Sequence, residues 1–270
     1  MDLGLQNKHV LVTGAAGGIG LETVRMFLAE GARITAAYHR SLGQLQQLLN
    51  EHRRLLTVQG DISREEDVRG IFEEANSHFG RVDVLVANAG IANETGVGVD
   101  EMTVEQWQRT LNVNLTGAFL CAKYFFKNLK TFRDHTAALI FVGSTAGVFG
   151  EAWHSDYATS KAGLYGLMLS LKNEIVYLAH RGRVNMVNPG WTKTPMAEDA
   201  LKDLDMVKRI HQTIPMRKTA TTHDIASAIV FLASDHAASH MSGQAITVAG
   251  GMEGRVLYTA EEALSWESEP

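Results

Sequence analysis

The chain alternates between two kinds of segment, and that alternation limits its fold more than any other feature. Short apolar runs of the buried-strand kind are each followed by a stretch with helical spacing. HVLVT (9–13) leads through glycines into IGLETVRMFLAEG, ARITAAY (32–38) into LGQLQQLLNEH, and LLTVQ (55–59) into EEDVRGIFEEANSHFG. VDVLVANAG (82–90) reads as strand then turn, residues 104–132 as one long helix, and AALIFVGS (137–144) as a strand. A helix carrying YATSK (157–161), the strand RVNMVNP (183–189), a helical pair across 197–234 and a last strand QAITVAG (244–250) complete the series. Strands separated in this way by helices imply parallel neighbours joined by right-handed crossovers. Strands apolar on both faces imply a sheet covered on both sides. The expected fold is a single-domain α/β, doubly wound sheet of seven mostly parallel strands with helices on both faces. Such a sheet binds its ligand at the carboxyl ends of the strands.

Composition narrows the function classes. With 270 residues, 4 prolines and no low-complexity tract, the chain suits one large domain without a linker. A formal net charge of −5 argues against nucleic acid or an anionic membrane as partner, since either would want a basic stripe. No apolar run is long enough to span a bilayer and no signal peptide is visible, so a cytoplasmic location is expected. The single cysteine, Cys121, lies in the apolar stretch AFLCAKYFF and reads as a small core residue. The 11 histidines show no metal-ligand spacing, so no metal is expected. His154 stands close to Tyr157, but no G-x-S-x-G elbow accompanies it, which argues against a hydrolase triad.

Unusual residues cluster at the strand ends. TGAAGGIG (13–20) joins the first strand to the first helix. Gly14 permits a tight turn, and Gly18 and Gly20, flanking Ile19, allow close backbone approach. The helix N-terminus behind them offers free N–H groups to a pyrophosphate. Asp61-Ile62 follows the third strand, where a carboxylate can accept from an adenine amine or simply cap SREED. Asn88-Ala89-Gly90 follows the fourth, where small residues let a ribose or base lie against backbone or merely form a turn.

Tyr157 and Lys161 fall one helical turn apart on one face. An unperturbed phenol titrates near ~10, and moving it down by about three units takes roughly 4 kcal/mol of differential stabilisation. A cation held close in a partly buried cleft can supply that, making the phenol a proton donor near neutrality. The alternative is an exposed polar pair.

Taken in order, TGAAGGIG, DI (61–62), NAG (88–90), NVN (112–114), the serine of GSTAG (143–147), YATSK, NPGWTKTPM (188–196) and VAGG (248–251) resemble the short-chain dehydrogenase/reductase family of the classical kind over residues 7–252. The resemblance implies a Rossmann-like catalytic domain over 1–254 with a C-terminal extension over 255–270. It implies a catalytic tetrad of Asn114, Ser144, Tyr157 and Lys161. In that scheme Tyr157 exchanges the proton, Ser144 orients the substrate oxygen, Lys161 also binds the nicotinamide ribose, and Asn114 holds a water that links Lys161 to solvent. Gly14, Gly18, Ile19, Gly20, Asp61, Ile62, Asn88, Ala89, Gly90, Tyr157, Lys161, Pro189, Gly190 and Thr192 become cofactor-binding residues. The chain departs from the family pattern at Ala249, where Asp is usual, at Ala87 of ANAG, and in a shortened HRGRVN (180–185).

The second strand ends in AAYHRS. Tyr38 stands where NAD-preferring relatives carry Asp, and His39 and Arg40 follow, which favours NADP(H) slightly over NAD(H). Gly17, where many NADP-preferring relatives carry a basic residue, speaks the other way. The resemblance implies a small-molecule carbonyl or alcohol substrate: a 3-oxoacyl thioester, a sugar or polyol, or a cyclic ketone. Trp191, Met196, Phe149 and Trp153 could make an apolar wall around it; Glu94, Glu151 and His154 a polar one. Two other readings are a sugar-nucleotide epimerase-type isomerase and a non-catalytic dinucleotide sensor. The first usually has different glycine spacing; the second has no need to keep Ser144, Tyr157 and Lys161 together. Relatives form dimers or tetramers, so a homo-oligomer is expected. Leu264 and Trp266 of the tail either pack on a neighbouring subunit or belong to a disordered acidic end.

Overall fold

The computed structural model describes residues 2–93, 95–259 and 261–262. Seven strands form one sheet: β1 (His9–Thr13), β2 (Arg33–Tyr38), β3 (Leu55–Gln59), β4 (Val84–Ala87), β5 (Thr136–Val142), β6 (Arg181–Pro189) and β7 (Ala245–Val248). Their spatial order is β3-β2-β1-β4-β5-β6-β7, and every neighbouring pair is parallel. The order reverses between β1 and β4, which opens a crevice at the carboxyl ends of those two strands.

The continuous apolar runs are explained by two cores, one on each face. Along β5, Ala137, Leu139 and Phe141 enter one core while Ala138, Ile140 and Val142 enter the other. The first core is completed by α3 (Glu65–Phe79), α5 (Gly117–Thr131) and α7 (Ser155–Glu174) through Ile71, Phe125, Leu129 and Leu164. The second is completed by α1 (Gly18–Ala29), α2 (Leu45–Glu51) and α10 (Thr222–Ala233) through Val24, Phe27, Leu45 and Ile229. Period-two side-chain alternation on strands buried on both faces is what makes every position apolar. Cys121 lies in the first core and is buried, as its apolar context implied.

Two segments differ from the periodicity reading. The long helix over 104–132 is α4 (Val104–Leu111) and α5 joined by a π-helical turn, Asn112–Thr116. One extra residue per turn leaves no trace in hydrophobic spacing, but it rotates Asn114 into the interior. The helical pair across 197–234 is three pieces, α8 (Glu198–Lys202), α9 (Leu204–His211) and α10. Asp203 accepts from Asp205 and Met206 N–H groups and so starts α9, and a capping box between Thr221 and Asp224 starts α10. A further short helix, α6 (Ala146–Phe149), follows β5.

After β7 the chain folds back over the segment that follows α9. Leu257 N–H donates to Gln212 O at 2.7 Å, and Gln212 Nε2 donates to Tyr258 O at 3.0 Å. The Arg217 guanidinium lies over the Tyr258 ring, 4.3 Å from its centroid. Leu264 and Trp266 lie outside the described residues.

Candidate active site

Thr13 ends β1, and its hydroxyl receives the N–H groups of both Asn88 and Ala89 at 3.1 Å. Asn88 Nδ2 returns two bonds, to Thr13 O at 2.9 Å and Gly14 O at 3.2 Å. The glycine loop and the NAG turn are therefore stitched together across the switch point. Gly14 has φ +64°, and a Cβ there would lie 2.8 Å from the Ala89 Cα. At Gly20 a Cβ would overlap the Gly14 carbonyl oxygen and stand 2.7 Å from Asn88 Nδ2. Gly18, with φ +52°, and Ile19 begin α1. That helix has neither a capping side chain nor an acidic residue in its first turn. Its unsatisfied N–H groups and positive end are thus left to an anion, which fits a dinucleotide pyrophosphate.

At the neighbouring strand ends, Tyr38 closes β2, and His39 and Arg40 are exposed just beyond it. Asp61 Oδ1 accepts from both the N–H and the hydroxyl of Ser63, and Oδ2 faces His39 Nε2 at 3.7 Å. The local turn reading of Asp61 is thus present, with its second oxygen still turned to the β2 end. Ile62 is buried against Gly117 at the start of α5. Pro189 ends β6 and pairs with Val248, and Gly190 follows against Ala249. Thr192 is buried, with its hydroxyl donating to Gly190 O at 2.8 Å.

The four residues of the implied tetrad converge beside Gly90. A Cβ on Gly90 would meet Lys161 Nζ at 3.1 Å and Asn114 Oδ1 at 3.2 Å. Lys161, in α7, is buried and donates from Nζ to Val142 O at 2.9 Å. Its Nζ stands 5.8 Å from the Tyr157 ring centroid. Ser144 follows β5; its Oγ accepts from Ala146 N–H at 3.1 Å, and its hydroxyl acts on the Tyr157 phenol, lowering it.

The expectation of a lowered phenol is not met by the chain alone, without the positive charge of an oxidised nicotinamide. Burial raises the Tyr157 phenol above its usual value, the Ser144 hydrogen bond works against this, and Glu151 adds to it. Burial also depresses the Lys161 ammonium from 10.5 to about 8. Within the chain itself, loss of solvent outweighs the opposing Ser144 contribution. The Asn114 side chain, expected to hold a water, is hydrogen-bonded within the fold. Nδ2 donates to Ile91 O at 2.9 Å and Ser160 Oγ at 3.0 Å, and Oδ1 accepts from Ile91 N–H at 2.8 Å.

Phe149, Trp153 and Met196 are all exposed. Trp153 has φ +62°, an uncommon conformation for a bulky side chain, and its carbonyl accepts from Val97 N–H at 2.8 Å. Burial raises the Glu151 carboxyl above its usual value, and His154 opposes this. Glu94 lies outside the described residues. Sequence reasoning missed Thr13 and Asp156, whose partners lie far away in the chain. A threonine directly before the glycine loop was the only visible sign of the first. Among the described residues no group of three or more His, Cys, Asp or Glu could hold a metal, and no helix is long and apolar enough to cross a membrane.

Known proteins share this arrangement. A family model described as enoyl-(acyl carrier protein) reductase matches residues 14–253. A cis-4-hydroxycyclohexanecarboxylate dehydrogenase of Sinomonas cyclohexanicum is 35% identical over 246 residues, covering 90% of this chain and 96% of the relative. A 3-oxoacyl-[acyl-carrier-protein] reductase of Synechocystis sp. is 33% identical over 253 residues, covering 92% and 98%. The crystal structure of gox2181 superposes with a TM-score of 0.86 at 28% identity, over 93% of this chain and 97% of the other. With its glycine loop, its Tyr-x-x-x-Lys helix and its sheet all in place, the chain belongs to the classical short-chain dehydrogenase/reductase family and is an NAD(P)-dependent oxidoreductase of carbonyl and alcohol groups.

Proposed function

We propose that the protein interconverts an apolar ketone, on a ring or an acyl chain, and its secondary alcohol, with Tyr157 as acid and base and NADP(H) as the preferred cofactor. The observation that carries this is the convergence of Ser144, Tyr157 and Lys161 at the mouth of the switch-point crevice. A phenol raised by burial is fully protonated at neutral pH, ready to donate to a carbonyl oxygen. Ser144, whose hydroxyl also acts on that phenol, meets the same oxygen and fixes its direction. Lys161 holds the ribose and adds positive charge beside the phenol. Asn114, which also ties Ile91 to the catalytic helix, holds a water that links Lys161 to solvent. The nicotinamide, when bound, supplies or accepts the hydride.

Several observations support the finer assignments. Exposed His39 and Arg40 beside Tyr38 offer a cation where an NAD-selective site would hold a carboxylate. To the cofactor we also assign Gly14, Gly18, Ile19, Gly20, Asp61, Ile62, Asn88, Ala89, Gly90, Pro189, Gly190 and Thr192. Phe149, Trp153 and Met196 suit a ring or acyl chain better than a sugar. The catalytic unit runs over 1–254 and the extension over 255–270, in keeping with a family match that ends at 253. We place the protein in the cytoplasm as a dimer or tetramer assembled through α5 and α7, where Phe119, Phe126, Leu171 and Tyr177 line an apolar groove.

The test is the loss of reduced-nicotinamide absorbance with NADPH and NADH over a panel of cyclic ketones, an acetoacetyl thioester, keto-sugars and diketones. Turnover on apolar ketones that Tyr157→Phe abolishes, with dinucleotide binding intact, is the expected result. Turnover that survives in Tyr157→Phe removes Tyr157 as the acid, and turnover confined to keto-sugars removes the apolar substrate class.

A further inference from the structure

Directly before Tyr157 stands a carboxylate with no access to solvent. Asp156 is 0% exposed. Its Oδ2 accepts from Thr110 Oγ1 and from Asn93 Nδ2, both at 2.7 Å, and its Oδ1 accepts from the Tyr157 N–H at 2.8 Å. All three partners donate, so the carboxylate serves as an acceptor only. Thr110 is itself buried, near the end of α4. Asn93 follows the NAG turn, and Val97 donates from its N–H to the Trp153 carbonyl. Three elements therefore meet on one side chain: Asn93 after the NAG turn, α4 and the first turn of the catalytic helix.

The Tyr157 peptide is held from both sides. Asp156 takes its N–H, and the Ser160 hydroxyl donates to its carbonyl at 2.7 Å. Ser160 also accepts from Asn114, which holds Ile91 by both backbone groups. Two buried bridges thus run side by side from the loop to the catalytic helix: Asn93–Asp156 with Thr110, and Ile91–Asn114–Ser160. A charge buried without a cation is costly, and it is retained where its hydrogen bonds fix a geometry. The second position of α7 softens that cost, because the positive end of the helix faces the carboxylate.

We infer that Asp156 is a positioning residue that sets the Tyr157 hydroxyl against the substrate oxygen and ties Asn93 to the catalytic helix. It touches neither substrate nor cofactor and acts through the Tyr157 backbone and through Asn93. This rests on the reading of Tyr157 as the acid, so Tyr157→Phe is measured in parallel.

The experiment compares kcat, KM and dinucleotide affinity for Asp156→Ala, Asp156→Asn, Thr110→Val and Asn93→Ala. Displacing a reacting group by about 1 Å costs on the order of 100-fold. Asp156→Ala is therefore expected to lower kcat by roughly 30- to 100-fold and to raise KM several-fold, with NADPH binding within about twofold of the parent. Asp156→Asn keeps an oxygen for the Tyr157 N–H, and recovery of kcat to within about fivefold of the parent is expected. Thr110→Val and Asn93→Ala each remove one donor and are expected to show smaller losses of the same kind; they carry the test if Asp156→Ala does not fold. A folded Asp156→Ala, or the Thr110→Val and Asn93→Ala pair, turning over at the parent kcat and KM with only a lowered unfolding midpoint overturns the inference. Activity surviving in Tyr157→Phe would instead overturn the catalytic reading beneath it, so the two failures are told apart.

Discussion

Tyr157 and Lys161 are pulled in one direction by their surroundings: burial favours the uncharged form of each. Moving a lysine from 10.5 to about 8 corresponds to about 3 kcal/mol of cost for keeping the ammonium inside the fold. The sign follows from proton counting. Between about pH 8 and 10.5 the unfolded chain binds the Lys161 proton and the folded chain does not, so this cost is full below pH 8 and fades as pH rises through the window. Lys161→Met should therefore be inactive yet more stable than the parent at pH 7. The advantage should shrink towards pH 10.5, as denaturant titrations at several pH values would show. A variant less stable than the parent at pH 7 would contradict the argument. For the parent, kcat/KM in the reducing direction should decline above about pH 8, where Lys161 loses its charge. At the other end of the crevice, Arg40→Ala should weaken NADPH at least tenfold more than NADH, since only the former carries the extra phosphate. Equal effects in a binding titration would remove that contact.

At the scale of elements, the β1–α1 connection shows how little room the site has. Gly20→Ala would drive a methyl group into the Gly14 carbonyl, a backbone atom that cannot step aside. A loss of about 3 kcal/mol or more is expected. Gly17→Ala in the same loop meets nothing within 4 Å and should stay within about 0.5 kcal/mol of the parent. Unfolding midpoints of the two variants check both numbers at once. The strands and most helices were legible because burial on both faces writes itself as unbroken apolar runs, as in LLTVQ and AALIFV. The glycine loop and the Tyr157–Lys161 pair were legible for a related reason: their chemistry is set by near neighbours in the chain. The π-helical turn at Asn112–Thr116 was not, since inserting one residue in a turn changes no residue type. Nor were the Thr13 stitch and the Asp156 bridge, whose partners lie 75 and 46 residues away. The rise that burial gives the Tyr157 phenol was not legible for the same reason, because burial of a side chain is a property of the whole fold.

Taken as a whole, the molecule is seven parallel strands between two helical layers, and its only thiol is sealed in one of those layers. Cys121 is 1% exposed and burial pushes its thiol up to about 12. At pH 8 fewer than about one in a thousand such groups is ionised, and an alkylating reagent reacts only with the thiolate. Modification therefore has to wait for α5 to leave the sheet, and its rate reports how often that happens. Labelling at increasing denaturant should track the global unfolding curve; a rate indifferent to denaturant would mean α5 opens by itself. Added NADPH should slow the reaction by the factor 1 + [L]/Kd, because only the closed form holds the ligand. A cysteine with no part in the chemistry thus becomes a built-in gauge of cofactor affinity, readable before any substrate is in hand.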